Sequence, residues 1–387
     1  MAGAPTGVEQ GRDTPQARSY NRIRRRLSVA DFALSLALLA VLLFVNTGQG
    51  SRWTEVLRDW AYSGARQHYA LAVFFYLGML LLGAKLIGLP LDYYGFRLEH
   101  RYELSNQKLR GWIWDEVKGW LLGLALATIV VELLYWTIRI APQHWWLVTW
   151  AVFIVLMVFF AQIAPVVLFP IFYKFQPLEN EELRQRLVRL GERAGTRVRG
   201  VYEWKLSEKS KKANAALTGL GTTRRIILAD TLLQNYSADE IEAILAHELG
   251  HHVHQHIIKG IAVQVAITFF GFWAASALLR YAVEQRQMFP SMADFANLPL
   301  LALLATVLSL LLMPAMNAYS RYNERQADRY CFTAIPSVAP FITSMDKLAE
   351  QNLAERKPAG WLEWLFHSHP AIWRRIQAAQ AFSKTNA

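Results

Sequence analysis

His247, Glu248 and His251 lie in the five-residue run HELGH at 247–251, and together they can carry metal chemistry. Residues four apart lie on the same face of a helix, so both imidazoles can reach one metal ion. The glutamate between them can then take a proton from a water molecule that the ion activates. This HExxH arrangement is typical of metalloproteases and makes zinc-assisted peptide hydrolysis the first hypothesis.

The motif needs a further ligand, because catalytic zinc normally takes three protein ligands and a water molecule. Glu324 is the candidate, since an apolar block before it would return the chain to the membrane face that carries the motif. Asp328 lies one helical turn later and could orient a ligating histidine through its second ring nitrogen. On these residues alone, a solvated charged turn at 323–328 remains the alternative.

Three more histidines, His252, His254 and His256, follow the motif directly. His252 and His256 are also four apart, but they are rotated by about 100° around the helix and no acid follows His252. His254 shares the face of the motif histidines, two turns on. For all three, a position at the membrane interface or behind a ligand is favoured over ligation.

The elements around the motif include six long apolar blocks. Each approaches or exceeds the roughly 17 to 25 residues that a helix needs to cross a bilayer. Six buried core helices would need an implausibly large core, so we interpret the blocks as membrane spans; tryptophan pairs at their edges agree with an interfacial aromatic belt. The blocks are 31–47, 69–91, 119–138, 147–170, 257–279 and 298–318.

Membrane topology explains the formal net charge of +11 better than nucleic-acid binding does, so no nucleic-acid partner is expected. With the basic N-terminus (Arg22, Arg24, Arg25, Arg26) in the cytosol, only six of the 41 Lys and Arg residues lie outside, as the positive-inside rule prefers. Both chain ends and the motif are then cytosolic. The six outside are Arg52, Arg58, Arg66, Arg139, Arg280 and Arg286.

The first apolar block predicts a retained anchor, because no small-residue cleavage site follows it. The single Cys331 excludes an intramolecular disulfide and is expected to serve packing. Five segments follow from these patterns. They are a basic cytosolic N-terminus at 1–30, membrane helices 1–4 at 31–173 with a cytosolic loop at 93–118, a protease domain at 174–256, membrane helices 5–6 at 257–318, and cytosolic helices at 319–387.

The predicted protease domain begins with a helix over 178–195, where leucines recur at helical spacing. A small β-sheet with a hairpin follows, with strands predicted at 198–206, 214–217 and 225–229 and a turn at 219–221. Ser237 and Glu240 predict a capping box at the start of a helix over 238–256. That helix would carry the motif and run into the fifth span with little interruption.

Five sequence pieces, in order along the chain, carry a family resemblance over roughly residues 95–380. The chain resembles the integral-membrane zinc endopeptidases of the type I CAAX prenyl protease family, relatives of the bacterial HtpX membrane protease. The pieces are RLEHRYELSNQ with Asp115, KKANAALTGLGTTRRIILADTLL at 211–233, AHELGHH at 246–252, SRYNERQAD at 320–328 and HPAIWRRI at 369–376.

The sequence patterns above predict a mainly α fold: a polytopic membrane helical bundle of about six spans that carries a cytosolic zinc-metalloprotease domain with a small β-sheet. The resemblance implies that such a bundle can enclose a chamber. It implies one zinc ion per chain and an edge strand along which the substrate peptide lies. The site residues it implies are His247, His251 and Glu324 as zinc ligands, Glu248 as general base, Asp328 behind a ligand, His369 as stabiliser of the tetrahedral intermediate, Arg375 as a contact to the substrate backbone or the site, and Asn214, Ala215 and Ala216 on the substrate strand.

Two features depart from the family pattern. Ala216 stands where tyrosine is usual, which concerns the substrate pocket and not the metal site. Eukaryotic members have seven membrane helices around a water-filled chamber, whereas six are predicted here. The N-terminal wall of a chamber is therefore expected to differ.

The expected partners are the lipid bilayer and a peptide or protein substrate, membrane-associated or lipidated, with no obligate protein partner evident. Two substrate classes compete: a CAAX processor removes three residues from a prenylated C-terminus, while an HtpX-like enzyme degrades misfolded membrane proteins. The Ala- and Arg-rich composition favours a bacterial cytoplasmic membrane, where prenylated substrates are not expected, whereas the 93–118 segment resembles the CAAX branch.

A membrane transporter or a zinc scaffold without hydrolysis is the rival from another class. Lys85 and Glu132 fall within spans, and ionisable residues inside a membrane are functional candidates. However, no repeat relates two halves of the chain, as many transporters require. A scaffold would also have no use for the acid at Glu248.

Overall fold

The computed structural model describes residues 13–219 and 224–386. The first twelve residues of the basic segment, and all but the first residue of the predicted turn at 219–221, lie outside the described residues. Within these described residues, six helices are long and apolar enough to cross a membrane, which confirms the six predicted spans. They are Pro15–Phe44, Tyr69–Arg101, Leu109–Ile140, Trp145–Phe172, His256–Gln285 and Phe295–Ala334.

Four of these spans form the N-terminal membrane region. A shorter helix within it was not predicted: Trp53–Gly64, whose twelve residues are about 18 Å long and too short to cross a bilayer. It packs on the loop before the sixth span, where Thr54 Oγ1 donates to the Ala296 carbonyl at 2.6 Å. The helices here are α1 Pro15–Phe44, α2 Trp53–Gly64, α3 Tyr69–Arg101, α4 Leu109–Ile140, and α5 Trp145–Ile163 continuing through a π turn into α6 Phe169–Phe172.

The predicted cytosolic loop at 93–118 is much shorter in the structure, because α3 runs on to Arg101 and α4 begins at Leu109. An ion pair of 2.5 Å between Lys85 Nζ and Glu116 Oε2 joins the two helices where they leave the bilayer. The remaining loop is hydrogen-bonded to the segment that precedes the strand Ala215–Thr218, since Lys211 N–H donates to the Leu104 carbonyl at 2.9 Å. The RLEHRYELSNQ piece therefore links the membrane region to the sheet.

The sheet has four strands in the order β1-β2-β4-β3. Strands β2 and β4 pair in parallel, while β3 and β4 form the predicted antiparallel hairpin, which leaves β3 at an edge. The first strand was not predicted, because three residues are too few to show alternation. This part of the chain contains β1 Phe175–Pro177, α7 Glu181–Arg193, β2 Gly200–Trp204, β3 Ala215–Thr218, β4 Arg225–Ala229, α8 Asp230–Asn235 and α9 Ala238–Val253.

Helix α9 carries the HELGH run and begins with the predicted capping box between Ser237 and Glu240. It ends at Val253 and the fifth span begins at His256, so the interruption is short, as predicted. Gln255 has a φ of 57°, in the left-handed region, and the next helix, α10 His256–Arg280, starts after this break. In an uninterrupted helix, residues five apart point about 140° away from each other. The break is what allows His256 to turn back towards His251.

The sixth span continues without interruption into the soluble part as α11 Leu298–Ala334. Helices α9 and α11 cross at Gly250, where a Cβ atom would lie 2.7 Å from Ala327 Cα. Only glycine allows this approach of the two backbones. Buried Cys331 donates from Sγ to the Ala243 carbonyl of α9 at 3.2 Å. The C-terminal helices are α12 Ala339–Gln351, α13 Gly360–Phe366 and α14 Ile372–Asn386.

Candidate metal centre

Helices α9 and α11 bring His247, His251 and Glu324 together, and one possible ligand atom from each lies within 4.8 Å of the others. The Nε2 atoms of the two histidines are 3.3 Å apart. Glu324 Oε2 lies 3.3 Å from His247 Nε2, and Glu324 Oε1 lies 3.3 Å from His251 Nε2. Two ring nitrogens and a carboxylate thus face a common point.

This donor set fits a metal ion such as zinc, which prefers imidazole and carboxylate ligands in a small tetrahedral site. Glu324 Oε2 is buried and accepts no hydrogen bond from the described residues, which is costly unless a cation satisfies it. The surroundings of His247 favour a positive charge. Burial and the charge of Arg375 lower the pKa of this histidine, but its contacts with Asp328 and Glu324 outweigh both effects and raise the pKa to about 9. A dication would be stabilised by the same carboxylates.

His247 is oriented from behind by Asp328. Its Nδ1–H donates to Asp328 Oδ1 at 2.9 Å, which leaves the Nε2 lone pair directed at the common point. Arg375 in turn forms a bidentate ion pair with Asp328: its Nε donates to Oδ2 at 2.9 Å and its Nη2 donates to Oδ1 at 2.6 Å. Arg375 is therefore buried against Asp328, and the structure gives its guanidinium a role in holding the site. A direct contact to the substrate backbone stays a prediction.

His251 is oriented by a second chain of hydrogen bonds. His256 Nε2–H donates to Gln326 Oε1 at 2.9 Å, so the other ring nitrogen of His256 carries the lone pair. That nitrogen accepts from His251 Nδ1–H at 3.0 Å, and the lone pair of His251 Nε2 is left for a metal. Of the three histidines left open by the sequence, His256 is the one that contacts a candidate ligand.

The other two histidines contact no candidate ligand among the described residues, although His252 lines the same cavity as His251. His252 Nε2 accepts from Arg224 Nη1 at 3.0 Å, and both burial and the Arg224 charge lower the pKa of His252. His254 stacks on His256 with ring centroids 5.5 Å apart. His369 lies beside Glu324: its Nε2 is 3.3 Å from Glu324 Oε1, and its side chain is 61% exposed. An exposed imidazole beside the ligands can donate to a bound carbonyl oxygen.

Glu248 lines a cavity of about 350 Å³ between α9 and the sheet, together with Leu217 of β3. Its carboxylate forms no hydrogen bond or ion pair with any residue that the structure describes. A carboxylate without a partner, one helical position from a candidate ligand, is free to exchange a proton with a water or substrate molecule in this cavity. The cavity is the cleft in which a peptide could meet the metal centre.

The main chain of β3 alternates between β4 and the free edge. Ala229 N–H donates to the Asn214 carbonyl at 3.0 Å, and the register continues with Ala216 opposite Ile227. In an antiparallel pair, every second residue exchanges both bonds with its partner. The N–H and C=O groups of Ala215 and Leu217 therefore point away from β4. Of the three predicted substrate-strand residues, Ala215 alone has its main-chain N–H and C=O groups directed to the free edge of the sheet, and Leu217, which was not predicted, has the same orientation.

Four functional residues were missed or left open by the sequence: Gly250, His256, Gln326 and Leu217. The glycine inside HELGH was a signal for close backbone approach. Gln326 lies between Glu324 and Asp328, but its spacing predicts no contact with the motif. The position of His256 depends on the left-handed residue before it, which is a glutamine and carries no turn signal.

Two protein-family descriptions cover almost the whole chain. Peptidase family M48 matches residues 177–383, and the CAAX prenyl protease N-terminal region, described as five membrane helices, matches residues 10–174. In the second region the structure has four candidate spans and the short α2. The first match contains every candidate metal ligand.

Several known proteins are similar over most of their length. The metalloprotease YhfN of Bacillus subtilis (strain 168), described as uncharacterized, is 31% identical and covers 94% of this chain, which spans 84% of it. CAAX prenyl protease 1 of Saccharomyces cerevisiae is 28% identical over 80% of this chain and 72% of its own. The crystal structure of S. mikatae Ste24p has the same fold, with a TM-score of 0.85 over 98% of this chain and 92% of that one at 24% identity.

Proposed function

Since the chain belongs to Peptidase family M48 and is a multi-pass membrane metalloprotease with a CAAX prenyl protease type of N-terminal region, we propose how its residues hydrolyse a peptide. His247, His251 and Glu324 hold one zinc ion per chain. The observation that carries this assignment is the convergence of three ligand atoms from two helices within 4.8 Å. Asp328 and His256 hold the two imidazoles in the orientation that the ion requires.

When bound, the zinc ion would polarise the scissile carbonyl and make a water molecule acidic enough to act near neutral pH. Glu248 takes the proton of that water as it attacks, and then returns the proton to the leaving amine. His369 donates a hydrogen bond to the oxygen that becomes negative. One such donor is worth roughly 3 to 4 kcal/mol in other hydrolases. Arg375 acts through Asp328 by keeping that carboxylate ionised and in place.

The substrate peptide adds as a strand to the free edge of β3. The outward main-chain groups of Ala215 and Leu217 would pair with it and draw its scissile bond into the cavity beside Glu248. Main-chain pairing gives affinity with modest selectivity for side chains. Ala216 pairs with Ile227 of β4 and does not line the cavity beside Glu248, so alanine in place of the tyrosine usual in the family leaves this strand pairing unchanged.

For the substrate class, we favour the C-terminal peptide of a CAAX-type, prenylated protein over misfolded membrane proteins. The support is that the similar proteins from eukaryotes bear the name CAAX prenyl protease 1, and we give this more weight than the compositional argument that a bacterial source provides no prenylated substrates. We further propose a bacterial cytoplasmic membrane, with the active site and both termini in the cytosol. The similarity to a Bacillus subtilis protein and the basic residues at the metal-site face support this arrangement.

The test compares a farnesylated peptide and an unmodified peptide of the same sequence, incubated with the protein purified in detergent. We expect release of the three C-terminal residues from the farnesylated peptide, loss of this activity with a chelator, and recovery with added zinc. Hydrolysis that persists in metal-free protein would contradict the metal assignment. Equal hydrolysis of both peptides would agree with a protease but would contradict the proposed selectivity for prenylated substrates.

A further inference from the structure

A second cavity, of about 700 Å³, lies between α11, α13 and α14, behind the ion pair of Asp328 and Arg375. Neither Glu248 nor any residue of β3 is among its lining residues, so it is separate from the cleft described above. Arginines dominate its wall. They are Arg321, Arg325 and Arg329 on one face of α11, and Arg374 and Arg375 on α14.

The positive charge of this arginine cavity is only partly neutralised. Its two lining carboxylates are Asp328, which binds Arg375, and Glu363, which lies 3.3 Å from Arg374. Arg325 and Arg329 form no hydrogen bond or ion pair with any residue in the described part of the chain. Both side chains are exposed at the cavity. An anion could therefore be bound without displacing an existing partner.

Arg321 is the arginine of the cavity that lies nearest to the membrane along α11, and it is rigidly held. It is 9% exposed, and its Nη1 donates to the carbonyls of Glu363 at 2.9 Å and His367 at 2.6 Å. Neutral carbonyl acceptors do not cancel its charge. Planar guanidinium groups bind the oxygens of phosphates and carboxylates in pairs, which favours an oxyanion over a halide. A phosphate offers more oxygens than a carboxylate to several converging arginines.

The arginine cavity opens next to the membrane surface. The apolar run of α11 ends at Met316, and with a rise of 1.5 Å per residue Arg321, Arg325 and Arg329 lie roughly 7, 13 and 20 Å beyond it. The headgroup layer adds about 5 to 7 Å to each side of the hydrocarbon core. Side chains tilt towards the N-terminus of their helix, which for α11 is the membrane side. The long arginines therefore lean back towards the headgroups.

Helix α13 supplies an aromatic rim at the same level. Asn317 Nδ2 donates to the Leu365 carbonyl at 2.7 Å, which holds α13 beside the point where α11 leaves the bilayer. Trp361, Trp364 and Phe366 are 64%, 59% and 50% exposed, and Trp364 lines the cavity. Large exposed aromatics next to a span are typical of the membrane interface.

We propose that the arginine cavity binds the phosphate group of an anionic phospholipid, with the aromatic rim of α13 set against its acyl chains. Arg325 and Arg329 supply the free charge, and Arg321 fixes the depth of the site. A lipid seated there would anchor α11 beside Asp328 without entering the catalytic cleft. The inference concerns this cavity and does not depend on the identity of the cleaved peptide.

The test measures lipid retention by native mass spectrometry of the zinc-loaded protein in detergent, titrated with phosphatidylglycerol or with phosphatidylcholine. We expect one phosphatidylglycerol bound at least ten-fold more tightly than phosphatidylcholine. The double variant Arg325→Gln/Arg329→Gln should weaken it at least ten-fold. The matched control is Arg197→Gln/Arg199→Gln, two exposed arginines far along the chain from α11, which should change nothing. Melting temperature and zinc content verify that each variant is folded.

Three outcomes would overturn the proposal. Unchanged phosphatidylglycerol binding by the α11 double variant would show that the lipid does not bind in the arginine cavity. Displacement of the lipid by an equal concentration of inorganic phosphate would make free phosphate the ligand. If the double variant binds lipid normally but raises KM for a peptide with a free C-terminal carboxylate and not for its amide, the cavity recognises substrate instead.

Discussion

The metal centre and the substrate edge face the same cleft but are held in different ways. His247 and Glu324 are 8% and 5% exposed, and they sit on helices whose backbones touch at Gly250. Each histidine ligand is also anchored by a second side chain. The substrate edge is a four-residue strand, paired on one side, with every residue half-buried. Tight packing thus determines the chemistry, while a strand with free main-chain groups leaves room for different peptides.

The largest expected effect separates chemistry from metal binding within the centre itself. Glu248→Gln removes the group that accepts and returns the proton but leaves all three ligands. We expect kcat to fall by about 10²- to 10⁴-fold, the usual contribution of a general base, with the zinc content unchanged. Single-turnover peptide hydrolysis and elemental analysis measure the two quantities.

The matched control is Glu192→Gln, an exposed glutamate on α7, which should behave as the wild type. Normal turnover by Glu248→Gln would refute the assignment of the base. A parallel loss of zinc would instead mean that Glu248 supports the metal.

The second prediction concerns the contact that makes the centre rigid. Gly250→Ala adds a methyl group 2.7 Å from Ala327 Cα, so α9 and α11 must separate. We expect a destabilisation of about 1 to 3 kcal/mol, as for other overpacked sites, and a weaker hold on zinc because the ligands lie on both helices. Thermal unfolding with and without zinc measures both effects.

Gly260→Ala on α10 is the control, since a Cβ there would meet nothing within 4 Å. If both alanine variants unfold at the wild-type temperature and keep their zinc, the close crossing of α9 and α11 is not what holds the centre.

The third prediction tests the hydrogen bond behind His251. His256→Ala removes the acceptor that fixes the tautomer of this ligand, and such changes typically cost about 10- to 100-fold in metal affinity. Competition with a fluorescent zinc chelator gives the affinity. His254→Ala should have no such effect, because this histidine stacks on His256 and contacts no candidate ligand. Equal zinc affinities for the two variants would argue against the proposed chain of hydrogen bonds.

The smallest expected effect lies at the substrate edge. Leu217→Pro deletes an outward N–H, which is worth about 0.5 to 1.5 kcal/mol when it pairs with a peptide. We expect KM to rise about two- to ten-fold with zinc affinity unchanged. Leu217→Ala keeps the N–H and controls for the lost side chain. The same KM for both variants would mean that the peptide does not pair with this edge.

The sequence predicts the features that depend on local spacing. The HELGH face, the capping box at Ser237 and the β3–β4 hairpin each follow from residues a few positions apart. The six spans follow from length and hydropathy. Glu324 was proposed because the membrane topology returns the chain to the face that carries the motif, and the family resemblance supports this choice. No local rule relates Glu324 to His247, which lies 77 positions before it.

Features that depend on tertiary contact could not be predicted. The break before His256 occurs at a glutamine, whose left-handed backbone has no sequence signal and persists because the following histidine contacts His251. The continuation of α3 to Arg101 and the start of α4 at Leu109 accompany an ion pair between Lys85 and Glu116, a contact that sequence spacing does not predict. Arg375 looked like an ordinary helix arginine, and its partner Asp328 becomes visible only when α14 is packed on α11.

The most direct test of the metal centre is the zinc content of the wild type and of Glu324→Ala after the same dialysis. The wild type should retain one zinc ion per chain, and the variant should lose most of it, because two imidazoles alone leave the ion under-coordinated. Similar unfolding temperatures in metal-free buffer would show that both chains are folded. A variant that is folded and still holds one zinc ion per chain would contradict the assignment of Glu324 and the convergence of α9 and α11 on a common metal.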